Sequence, residues 1–67
     1  MQSKTGLEVL TTRERQVFAL LKKGLLNKQC AGELACSIRT IEAHRASIFR
    51  KLKVRNLTEL LLIFNDD

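Results

Sequence analysis

Two helical patterns in this chain stand only two residues apart, and that spacing limits its possible folds more than any other feature. A short pattern ends near Leu34, the next opens at Ser37, and only Ala35 and Cys36 join them. Helices linked so tightly must meet at a steep angle. Ser37 is a residue type that caps helices, its hydroxyl accepting from a backbone N–H one turn on. With Ile41 at zero on a wheel of about 100° per residue, Ile48 falls at about 340° and Leu52 at about 20°, so the three make one buried stripe. The opposite arc, from about 100° to about 260°, carries Glu42, Ala46, Arg39, Arg50, Ala43, Ser47 and Thr40. That arc is small, polar and basic, which suits a helix that must fit a groove about 12 Å wide and still reach base edges.

The rest of the chain carries helix signals too. Proline is absent, aromatics are scarce, and Leu, Ala, Lys, Arg and Glu dominate, which favours helices over strands. Thr11 with Glu14 three positions on has capping-box spacing, in which hydroxyl and carboxylate each satisfy a backbone N–H. Val17, Leu20 and Leu21 then recur at helical spacing until Gly24, which follows Lys22 and Lys23 at the negative end of the helix dipole. Asn27 suits the cap of a short helix in which Cys30, Ala31 and Leu34 share an inward face. Asn56 with Glu59 announces a last helix, whose Leu60, Leu61, Leu62, Ile63 and Phe64 wrap right round it and cannot all reach one small core. The expected fold is all-α, a compact four-helix domain with a helix-turn-helix motif and helices at about 12–23, 27–34, 37–52 and 56–64. Residues 1–9, polar and holding Gly6, read as a linker or disordered arm before a domain at 10–67. The arm behind Met1 has the look of an interdomain linker, which favours an excised C-terminal domain over a whole protein.

At 67 residues the chain makes one domain at most and leaves no room for a cleft between two lobes. Its formal charge of +5 is localised, since residues 37–55 hold six bases and one acid while residues 56–67 hold three acids and no base. Such a stripe fits a nucleic-acid binder, although a solvated helix face has the same composition. Cys30 and Cys36 sit among apolar neighbours, and with one histidine in the chain no four-ligand zinc site can be built, so both read as small buried hydrophobes. No metal, cofactor or catalytic residue is expected. Glu14 and Glu59 read as capping residues, and no Ser/His/Asp set or Gly-rich phosphate loop can be assembled. No apolar run reaches the roughly 18–20 residues of a membrane span and no signal-peptide stretch opens the chain, so the expected location is the cytoplasm.

The residues sharpen the helix-turn-helix reading. Leu10-Thr11-Thr12-Arg13-Glu14-Arg15-Gln16-Val17, then Gly24-Leu25-Leu26-Asn27-Lys28-Gln29, then Ser37-Ile38-Arg39-Thr40-Ile41-Glu42-Ala43-His44-Arg45, then Arg50-Lys51-Leu52 and Val54-Arg55-Asn56 closely resemble the LuxR/FixJ (NarL-type) family from about Leu10 to Leu61. The resemblance implies a bacterial transcription regulator whose four-helix domain binds double-stranded promoter DNA, commonly as a homodimer through the last helix. In many members a phosphorylated receiver or a ligand-binding domain precedes it, as in response regulators of two-component systems, and RNA polymerase is a possible further partner. Carried across by position, the base-contacting residues are Glu42, Ala43 and Ala46. The phosphate-contacting candidates are Asn27, Lys28, Arg39, Thr40, His44, Arg45 and Arg50, of which His44 reads equally well as an ordinary surface histidine. Leu57, Leu61, Leu62 and Phe64 are the residues expected at a dimer interface, with Leu62 the most outward. No membrane and no small-molecule ligand is expected for this domain.

Departures from the family pattern carry physical consequences. Cys36 stands where isoleucine or valine is usual, and Cys30 replaces an aliphatic residue, swaps that loosen packing by about 1 kcal/mol each. Ala35 stands where glycine is common, so the turn must be made without one. Glu42 is acidic where many relatives have lysine; a carboxylate can accept from cytosine N4, which makes it a specificity residue. Two rivals remain open. A protein-interaction module would use the apolar helix 56–64 and leave the basic stripe incidental. A basic amphipathic domain on anionic membranes is the other, although its cations lie opposite a core-forming stripe and no aromatic anchors accompany them.

Overall fold

The computed structural model describes residues 7–64, which form a short 3-10 turn, Leu7–Val9, and four α-helices. Helix α1 spans Thr12–Lys22, α2 Asn27–Leu34, α3 Ile38–Leu52 and α4 Leu57–Ile63. The all-α helix-turn-helix architecture read from the sequence is the observed one, with helix ends displaced by at most one residue. Of the expected arm, residues 1–6 lie outside the described residues. Its last part belongs to the folded body, because Leu7 packs against the core and its carbonyl accepts from Arg15 Nε at 3.3 Å.

Helices α1, α3 and α4 each start where a side-chain oxygen accepts from an unpaired N–H of the first turn. Thr11 Oγ1 accepts from Glu14 N at 3.0 Å and Glu14 Oε1 accepts from Thr11 N at 2.9 Å, the complete capping box. Ser37 caps α3, accepting from Thr40 N at 3.0 Å. Asn56 caps α4, accepting from Glu59 N at 2.8 Å, but the Glu59 carboxylate reaches past the cap to Arg55 N at 2.6 Å. Helix α2 corrects the sequence reading. Its N-cap is Leu26, whose N–H donates to Gln29 Oε1 at 2.8 Å, while Asn27 is already the first helical residue. The amide expected to cap α2 is thereby left to bond elsewhere.

Helices α1, α2 and α3 all end in the same way. The residue after the turn donates back five positions, Leu25 to Leu20 at 3.2 Å, Cys36 to Ala31 at 3.0 Å and Val54 to Phe49 at 2.9 Å. That bond requires a left-handed residue just before it. Gly24 supplies it for α1 with φ +87°, but Ala35 (φ 54°) and Lys53 (φ 60°) adopt it with a Cβ present, at a cost of about 1 kcal/mol each. The steep α2–α3 corner is therefore made at Ala35 without glycine.

The core lies between α1, α2 and α3, with α4 closing one end. Val17, Leu21, Cys30, Ile41, Ile48 and Leu60 are fully buried, and Leu10, Phe18, Ala31 and Val54 complete the cluster. Ile41 and Ile48 form the inward stripe read from the wheel, with Leu52 half-buried beside them. Burial pushes the Cys30 thiol up from its ordinary pKa, which keeps it protonated and inert. Cys36, also expected to be buried, is half-exposed, because the corner that holds it turns part of it outward.

Candidate nucleic-acid interface

With one side of α3 occupied by the core, the other side is displayed. Arg39, Glu42, Ala43, Ala46 and Arg50 are exposed along it, and Lys53 follows at its end. The two alanines sit between longer polar chains, so the helix surface is low in the middle and charged at its edges. That profile lets a helix backbone approach a groove closely while flanking cations reach phosphates. Lys28, in the first turn of α2, is exposed as well.

Other candidates are held rather than displayed. Thr40 is half-buried with its hydroxyl 3.0 Å from Ser37 Oγ. His44 is half-buried on the flank of α3. Arg45 donates from Nη1 to Asn27 Oδ1 at 3.1 Å, and its guanidinium carbon lies over the Phe49 ring, 5.3 Å from the centroid. The structure thus joins two residues, Asn27 and Arg45, that sequence reasoning treated separately.

Beneath the displayed face lies a polar knot that the wheel missed. Glu14, 5% exposed, accepts from Ser47 Oγ at 2.6 Å and from Lys51 Nζ at 2.9 Å while still capping α1. Ser47, placed on the outer arc by its angle, in fact faces α1. The hydrogen bond from Ser47, then that from Lys51, then the one from Thr11 N hold the Glu14 carboxyl at about 2, well below its ordinary 4.5, against a smaller opposing push from burial. The knot ties α1 to the middle and last turns of α3. It fixes where the Arg39-to-Arg50 face points.

On α4, Leu62 is 77% exposed and Ile63 59%, whereas Leu60 is fully buried. Of the four residues expected at a dimer contact, Leu57, Leu61 and Phe64 are half-buried and pack against the core. Phe64 meets Phe18 edge to face at 5.8 Å, which holds it to the body of the domain. Leu61 and Leu62 also line a shallow groove with Lys22 and Thr58. Among the described residues no helix is long and apolar enough to cross a membrane.

Four helices, a glycine-free corner and a long third helix with a displayed polar face define a helix-turn-helix domain. The family model of bacterial regulatory proteins, luxR family (GerE), matches residues 8–64, and the chain belongs to that family. It is 44% identical over 55 residues to the transcriptional regulatory protein FixJ of Rhizobium meliloti, an overlap of 82% of this chain and 27% of that protein. It is 42% identical over 60 residues to the response regulator protein TodT of Pseudomonas putida, covering 90% of this chain and 26% of the relative. With the tetrathionate response regulatory protein TtrR of Salmonella typhimurium it shares 36% identity over 55 residues, 82% of this chain and 27% of the other. The chain spans about a quarter of the length of these curated relatives. No solved structure matches significantly.

Proposed function

We propose that this domain binds double-stranded promoter DNA in a bacterial cytoplasm and so regulates transcription, with α3 lying in the major groove. The observation that carries the reading is the exposed row Arg39, Glu42, Ala43, Ala46 and Arg50 on one side of α3, opposite the buried Ile41 and Ile48. Glu42 reads a base edge, Ala43 and Ala46 permit close approach and touch thymine methyls, and Lys28, Arg39, Thr40, His44, Arg45 and Arg50 bind phosphates on either side. The membership in the luxR family and the regulator names of the relatives support this assignment.

The exposed Leu62 and Ile63 support a second element of the proposal, a homodimer formed through α4 on DNA with paired half-sites. One short helix buries less than the roughly 1,200 Å² of a stable interface, so the domain is monomeric alone and pairs when DNA brings two copies together. The same apolar strip serves the competing reading, contact with a different protein such as RNA polymerase. Titration of the domain against a pool of randomised duplexes tests the proposal. Enrichment of one sequence supports it, and binding that stays non-specific at every salt concentration refutes it.

A further inference from the structure

Resting on the DNA-binding reading above, we infer that Asn27 is a positioning residue that acts through Arg45, presenting its guanidinium to a DNA phosphate, and is not itself a phosphate contact. Asn27 does not cap α2, since Leu26 holds that place, and its Oδ1 accepts instead from Arg45 Nη1 at 3.1 Å. Arg45 is held a second time by Phe49, whose ring lies 5.3 Å from its guanidinium carbon. The two anchors come from different helices, Asn27 from the start of α2 and Phe49 from α3.

A guanidinium is a planar fork of five N–H donors that suits phosphate only when its plane is correctly turned. An arginine on an open helix face samples many rotamers and must give them up on binding. Here the Phe49 ring beside the fork and the Asn27 oxygen bound to one of its nitrogens restrict the rotamers of Arg45, leaving the remaining donors for an anion. Arg45 sits on the flank of α3 beside α2, so the phosphate it meets lies at the groove edge where α2 approaches the backbone. The anchors exist together only when the α2–α3 corner is formed, which couples the geometry of that corner to phosphate binding.

Salt dependence separates the two roles of Asn27. A neutral amide that touches phosphate releases no counterion, whereas losing one arginine contact lowers the slope of log K against log salt by about 0.9. The experiment is an anisotropy titration of a duplex selected by the wild-type domain, across a range of KCl, with wild type, Asn27→Ala, Arg45→Ala and the double variant. The expected result is a slope reduced by Asn27→Ala toward that of Arg45→Ala, with no further loss in the double variant and no change in thermal melting large enough to account for it. Should the alanine variant fail to fold, Asn27→Ser carries the same expectation. Weaker binding with an unchanged slope, losses that add in the double variant, or no effect of Asn27→Ala overturns the positioning role and leaves DNA binding standing. A wild-type domain that forms no salt-dependent complex overturns both.

Discussion

Replacing Glu14 with glutamine should destabilise the domain at neutral pH and matter progressively less in acid. The carboxylate is held at about 2 against an ordinary 4.5 by Ser47, Lys51 and the Thr11 N–H, so the folded state binds the ionised form preferentially. A depressed folded-state pKa contributes stability that is present above the unfolded value and lost as pH falls through the folded one. The shift corresponds to about 3 kcal/mol at pH 7, falling to about half that by pH 3. A single core in a chain this small supplies only about 3–5 kcal/mol, so the effect is large enough to bring the variant close to unfolding at room temperature. Urea unfolding at low temperature, followed by far-UV circular dichroism from pH 7 to pH 3, measures it. The gap between wild type and Glu14→Gln should narrow by about 1.5–2 kcal/mol over that range. Ser47→Ala, which removes the largest contribution to the shift but keeps the charge, should fall between the two. Parallel stability curves for wild type and Glu14→Gln would refute the claim that the ionised carboxylate is what joins α1 to α3.

Glycine at either left-handed helix end, Ala35→Gly or Lys53→Gly, should raise stability by about 0.5 kcal/mol at most, since relief of the roughly 1 kcal/mol Cβ clash is largely offset by the added unfolded-state entropy; differential scanning calorimetry reads this as a Tm increase of about 2–3 °C. Leu62→Asp should leave the melting curve of the monomer unchanged, because the side chain is 77% exposed, and should abolish cooperative binding to a duplex with two half-sites while sparing a single half-site. Arg39→Ala and Arg50→Ala should weaken binding to every duplex alike and lower the salt slope by about one unit each; a loss confined to one sequence in filter binding would show that the residue reads a base.

What could be read from the sequence was local. The Thr11–Glu14 box, the Ser37 cap, the Gly24 stop and the Ile41–Ile48 stripe each depend on residues within two turns of one another, and the structure has all four. The readings that failed depended on distance across the fold. Ser47 is 33 residues from Glu14 and Lys51 is 37, so a wheel drawn for α3 alone had no means of knowing that α1 lies against that flank. Asn27 has the chemistry of a cap, but the first turn of α2 begins one residue earlier and its amide turns to Arg45, 18 residues on. The edge-to-face contact of Phe64 with Phe18 likewise joins α4 to α1 and is invisible within either helix alone. Apolar periodicity marks which face is inward, whereas polar pairs between helices declare themselves only once the helices are placed.

If α3 reads bases through Glu42, exchanging that side chain must change the DNA sequence the domain prefers. Wild type and Glu42→Lys should each be taken through selection from the same pool of randomised duplexes. Wild type should enrich a site with cytosine opposite the carboxylate, whose N4 amine donates to it, and the lysine variant should change preference at that one base pair, toward guanine acceptors, with discrimination shifting by about 1–3 kcal/mol while the flanking positions stay as they were. An identical selected sequence for both proteins would contradict base reading by Glu42.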